Sequence, residues 1–145
     1  MSSIFLSIQT GIAAALTGAT ALAGAAVQLN TLRPIAEGVN TALVVRLGRT
    51  TGNEYVIGSL EWSTSYTVEC YARVAAGSDP AVGADALLVD VWSRLSALDP
   101  ASIGALALVL NPEIDWQYDD SATPMVCAVF KLQVEHAASL STIGA

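Results

Sequence analysis

Ile4, Ile8, Ile12 and Leu16 recur at four-residue steps, with Ser3, Ser7 and Thr10 on the other sides of the same stretch. That period predicts an amphipathic helix over residues 3–23 whose apolar stripe faces a core, with Gly24 as its stop. Residues 27–35 read as a short extended piece, because Pro34 pushes Arg33 out of helical geometry. Leu43, Val44, Val45, Arg46 and Leu47 form a β-branched, alternating run that predicts a strand. Residues 48–53, Gly-Arg-Thr-Thr-Gly-Asn, carry turn chemistry. Residues 55–62 and 66–74 are further strand material, either two strands or one long strand kinked near Ser63. In the second of these Val68, Cys70, Ala72 and Val74 face one way and Thr67, Glu69, Tyr71 and Arg73 the other, as in a sheet with one buried side.

Ser78-Asp79-Pro80 is the clearest local signal. Asp79 is placed to cap a helix whose first position is Pro80. Ala84, Leu87, Leu88, Val91, Leu95 and Leu98 then trace one apolar stripe, Asp90 and Arg94 lie one turn apart on the outside, and Asp99-Pro100 ends the helix. Val89 and Trp92 lie off the stripe. Either they widen the core face or they pack against a neighbouring subunit, since aromatic residues serve both purposes. Residues 101–110 suit a short helix or a strand. Ile114, Trp116 and Tyr118 alternate with Asp115, Gln117 and Asp119, residues 120–124 form a turn, and Val126, Ala128, Phe130, Leu132 and Val134 alternate in turn, which predicts a hairpin. The small, polar tail from Ala137 reads as fraying. No repeat or linker divides the chain, so residues 1–145 read as one domain. The order of elements predicts an α+β fold: an antiparallel sheet with helices packed on one face, in two layers.

Of the 145 residues 53% are hydrophobic and 13% charged, with a net charge of −7. The length suffices for a proper core, and the apolar content excludes disorder. The six basic residues are scattered, which argues against a protein that coats nucleic acid through phosphate contacts. So little charge on so apolar a chain predicts that part of its surface is covered, as in a subunit of an assembly. Cys70 and Cys127 belong to no metal or redox motif and read as small buried hydrophobes. His136, the one histidine, falls at a strand end and reads as a surface residue. No nucleophile motif and no phosphate-binding glycine loop occurs, and no basic–aromatic platform for single strands. Glu113, Asp115, Asp119 and Asp120 crowd one hairpin without the spacing of a calcium loop. These readings predict no enzyme, no cofactor and no metal site.

The pieces Leu32-Arg-Pro34, Ala42-Leu-Val-Val-Arg-Leu-Gly48, Asp79-Pro80 and Ile114-Asp-Trp-Gln-Tyr-Asp-Asp120, followed by the strand at 125–136, stand in an order that resembles the tail terminator family of long-tailed bacteriophages, the lambda-type minor tail proteins. The resemblance spans nearly the whole chain, and the acidic hairpin is its most telling part. It implies a virion protein, assembled in the host cytoplasm, that forms a hexameric ring at the head-proximal end of the tail tube. Such a ring stops tube polymerisation and offers the attachment surface for the head connector or neck proteins. DNA passes through its lumen without specific binding, and neither membrane nor cofactor is involved. A closed ring needs two different patches on each subunit. The expected contact residues are Val89 and Trp92 on the second helix, Arg49, Thr50 and Glu54 in the 48–54 loop, and Asp119 and Asp120 in the 119–124 loop. The long alanine-rich first helix departs from the family pattern. Three alternatives stand beside this reading. One is another neck or tail protein, a head-completion or tube subunit. Another is an exported small binding domain with residues 1–26 removed. The last is an enzyme whose acidic hairpin holds a divalent ion.

Overall fold

The computed structural model describes residues 2–17, 27–30, 40–56, 59–75, 77–119 and 124–139, without the side chains of residues 54–56, 59 and 139. Helix α1 (Ile4–Thr17) is followed by strands β1 (Val27–Leu29), β2 (Thr41–Val56) and β3 (Ser59–Arg73), helix α2 (Pro80–Ala97), a 3-10 turn (Pro100–Ile103), and strands β4 (Ala107–Asp119) and β5 (Met125–Ser139). The strands form one sheet in the order β1-β2-β3-β5-β4. Every neighbouring pair is antiparallel except β1 and β2, which run parallel over three residues. The fold is therefore the expected two-layer α+β arrangement, with a mixed rather than wholly antiparallel sheet.

Both helices form where their stripes predict. Ile8, Ile12 and Leu16 of α1 are fully buried. In α2, Ala84, Leu87, Leu88, Val91 and Leu95 are buried, the Asp79 carboxylate accepts from the Ala81 N–H at 2.9 Å, and Arg94 Nε donates to Asp90 at 3.1 Å. The sheet meets them with Leu43 and Val45 of β2, Tyr66, Val68 and Cys70 of β3, and Ala128, Phe130, Leu132 and Val134 of β5. Helix α1 lies over β1 and β2, and α2 over β3 and β5. On the same face of β4, Leu108, Leu110 and Ile114 pack against this core, whereas Trp116 and Tyr118 remain exposed.

Polar groups inside the core are matched where the chain ends or bends. Gln9 is fully buried; its Nε2 donates to Val45 O (2.8 Å) and Asn30 Oδ1 (2.9 Å), and its Oε1 accepts from Asn30 Nδ2 at 3.1 Å. Asn30, at φ +50°, accepts from Leu47 N at 2.9 Å and donates its own N–H to Val45 O at 3.1 Å. Asparagine tolerates that left-handed backbone, and its amide finishes the β1 edge where the strand stops.

Five expectations change. Residues 48–53 are not a turn: β2 runs through them and pairs with β3 from Thr41 to Val56, with a bulge between Leu47 and Thr50. The glycines serve close approach instead, which is a second use of glycine in strands. A Cβ on Gly48 would meet Ser65 O at 2.6 Å, and one on Gly52 would meet the Trp62 ring at 2.8 Å. The strand expected over 55–62 divides between two: Val56 ends β2 and pairs with Ser59, which begins β3, and residues 57 and 58 lie outside the described residues. Residues 101–110 are both things in sequence, a 3-10 turn and then the start of β4. The tail stays paired through Ser139, opposite Ser59. His136 is fully buried rather than at the surface, because the long β3 strand reaches past it and Phe5 of α1 covers it, ring centroids 5.3 Å apart. Residues 18–23 of the predicted first helix and residues 31–35 of the predicted extended piece lie outside the described residues.

Candidate subunit interface

Two sheet edges lack a strand neighbour. Among the described residues strand β4 pairs only with β5 and has no strand on its other side. At the opposite side of the sheet β1 covers only Leu43, Val44 and Val45 of β2, and beyond them β2 has no second strand among the described residues. Unpaired strand edges present free N–H and C=O groups and are natural sites of chain association.

The two edges are unlike in chemistry. Beside the β4 edge, where α2 stops short of covering it, a groove of about 400 Å³ is lined by Asp79, Ala81, Val82, Asp85, Trp116 and Tyr118. Val82 is 69% and Tyr118 64% exposed. Val82 and Val89 are two helical turns apart, so they share one side of α2. The β2 edge carries Leu47, 37% exposed, and the exposed Arg49. On the sheet surface away from the helices, Arg46 Nε and the Tyr71 hydroxyl both donate to the Glu69 carboxylate, and Val109 of β4 is exposed.

The residues expected at contacts are spread over three places. Val89 is exposed on α2. Trp92 is half-buried, with its ring 5.1 Å from Phe130, so within the subunit it extends the core. Arg49 and Thr50 sit at the β2 bulge; Thr50 Oγ1 donates to Thr64 Oγ1 at 3.2 Å. Glu54 pairs through its backbone with Leu60 on the same edge. Asp119 ends β4 at the far side of the sheet, opposite Met125, and Asp120 lies outside the described residues. The sequence reading missed Val82, Asp85, Trp116, Tyr118 and Leu47. The seven-residue spacing of Val82 from Val89 and the shared parity of Trp116 and Tyr118 were the available signals.

Chemistry elsewhere is muted. Among the described residues no group of three or more His, Cys, Asp or Glu side chains is placed to hold a metal ion. Cys70 and Cys127 are buried as expected, and burial pushes the Cys127 thiol up to about 12, which keeps it protonated. His136 Nε2 lies 3.0 Å from Thr64 Oγ1, while His136 Nδ1 and Trp62 Nε1 are buried with no hydrogen-bond partner among the described residues. Burial lowers the His136 pKa below its ordinary value. Among the described residues no helix is long and apolar enough to cross a membrane.

No family model matches the chain, and no curated protein matches it. Among solved structures it is similar to a chain of the virion of a native gene transfer agent particle. The likeness covers 88% of this chain and 93% of that one, at 19% sequence identity and a TM-score of 0.55. At that identity what the two share is the fold.

Proposed function

We propose that this chain is a structural component of a phage-like virion, and within it a tail terminator. It forms a ring at the head-proximal end of the tail tube, stops tube growth there and presents a surface to the head-to-tail connector. The reading is carried by the fold it shares along nearly its whole length with a virion chain. Its surface supports it further, since the two open edges differ in kind and a closed ring requires two unlike patches per subunit. In this role the chain performs no bond chemistry and needs no cofactor. Its partners are copies of itself, the tube protein and the connector. With a net charge of −7, a ring of such subunits repels the phosphate backbone of DNA passing through the lumen rather than binding it.

Mass photometry of the purified chain, alone and with tail tubes, tests this. The expected result is a closed oligomer, a hexamer by the family resemblance, that caps tube ends. Tails assembled without the chain are expected to be overlong in electron micrographs. A chain that stays monomeric and leaves tube length unchanged overturns the proposal, and open filaments of the chain alone assign it to the tube instead.

A further inference from the structure

Resting on that ring reading, we infer that the α2–β4 groove is the seat for the β2 edge of a second copy of this chain, led by Leu47 and Arg49. The contact is head-to-tail: each subunit offers its groove to one neighbour and its β2 edge to the other.

The groove is apolar in the middle and acidic around it. Val82, Trp116 and Tyr118 supply the apolar surface and Asp79 and Asp85 the charge, and among the described residues no Lys or Arg lines it. On the other face of the same strand edge β4 carries Glu113, Asp115 and Asp119, all exposed, with Lys131 of β5 beside the first two. An occupant that fits must bring an apolar side chain, a cation and, to satisfy the open β4 backbone, a strand edge of its own. The β2 edge brings all of these. Leu47 is exposed there, and Arg49 has no hydrogen bond or ion pair among the described residues. Beyond Leu47 the strand itself is unpaired on that side among the described residues.

The same charges decide between symmetries. Two β4 edges placed together would oppose carboxylate to carboxylate, and two β2 edges would oppose Arg49 to Arg49. Like charges directly across strands are destabilising, so both symmetric pairings are disfavoured and the unlike pairing is left. Within one subunit the groove and the β2 edge are separated by the intervening strands β3 and β5. The occupant is therefore another molecule.

The test uses the full chain and two charge reversals at exposed positions, Asp85→Arg and Arg49→Asp. Far-UV circular dichroism and urea midpoints are expected to match wild type for both, because neither side chain is part of the core. In mass photometry each variant alone is expected to need about tenfold more protein to form rings, the scale of about 1.4 kcal/mol per contact. An equimolar mixture of the two is expected to recover assembly. In alternating order the reversed groove of one variant meets the reversed edge of the other, and the two unaltered surfaces meet at the next contact. Rings that form unimpaired from both single variants overturn this contact while leaving the ring reading intact. So does a result in which the variants still form rings but no longer bind tail tubes, which assigns the groove to the tube protein. Failure of the mixture to recover assembly overturns the pairing of these two surfaces. A wild-type chain that is monomeric at every concentration overturns the ring reading and the contact together.

Discussion

Replacing Trp92 by alanine separates what this residue does inside the subunit from what it does between subunits. Its ring packs 5.1 Å from Phe130 at an interplanar angle of 56° and is half-buried against the main core. Truncating a fully buried tryptophan costs about 3–5 kcal/mol. With part of the ring already in water, the expected loss for Trp92→Ala is about 2 kcal/mol, including the aromatic pair. Val89, 62% exposed on the same helix, is the control: Val89→Ala is expected to stay within about 0.5 kcal/mol of wild type. Urea denaturation followed by circular dichroism reads both, at a concentration below assembly, since association would otherwise raise apparent stability. The combination of Trp92→Ala with Phe130→Leu is expected to show a coupling of about 0.5–1.5 kcal/mol. An unchanged urea midpoint for Trp92→Ala, with ring formation lost, would refute the core assignment and make the ring a contact for a neighbour.

Three further outcomes follow from the buried polar groups and the cap. Gln9→Leu removes three hydrogen bonds; Val45 O keeps Asn30 N and Asn30 Oδ1 keeps Leu47 N, so the loss is expected near 2–3 kcal/mol at about 1 kcal/mol per bond, measured by urea titration. His136 has a folded-state pKa below its ordinary 6.5, so the unfolded chain binds the proton more readily. The stability His136 contributes is complete above 6.5 and is lost as pH falls from there toward the folded value; thermal melts across pH 7.5 to 5 are expected to show a decline (about those limits, set by the reference histidine) that His136→Gln flattens. Asp79→Ala removes the carboxylate that accepts from Ala81 N and is expected to lower stability by about 1 kcal/mol, read as a lower melting temperature.

The elements legible in the sequence are those whose signal is local and doubled. Helix α2 has both a cap and a stripe, and Asp79 and Leu87 through Leu95 stand where that pairing puts them. Strands β3 and β5 show the alternation of a sheet with one dry side, and Val68, Cys70, Phe130 and Leu132 are buried accordingly. Misreadings arose where one residue type answers two different constraints. Gly48 and Gly52 satisfy a turn on paper, but in the fold they make room for Ser65 O and the Trp62 ring, and nothing local distinguishes the two uses. The parallel pairing of β1 is three residues long, too short for a hydrophobic pattern of its own. His136 belongs to the buried parity of β5 with Phe130, Leu132 and Val134, so its burial was readable from the alternation of the strand at 125–136; its place at that strand's end suggested exposure because nothing local shows that Phe5 covers it.

The candidate interface was harder to read because it is made by an absence of cover. Trp116 and Tyr118 alternate with Asp115, Gln117 and Asp119 as residues of a strand with one buried side would, and that pattern alone predicts burial. Whether they are buried depends on how far the helical layer extends. The two helices lie mainly over β1, β2, β3 and β5; on β4, Leu108, Leu110 and Ile114 still pack against the core, while Trp116 and Tyr118 toward its end are left exposed. Composition had already registered the consequence, as 53% hydrophobic against 13% charged residues, without saying where the surplus sits. A sheet that outreaches its cover exposes an apolar strip along an edge that also has unpaired backbone. A second molecule adding at that edge covers both at once, whereas extending α2 would cover only the side chains. Assembly is thus the remedy that this mismatch between layers calls for. It is also why Val82 and Tyr118, unremarkable in the sequence, become the most informative positions in the fold.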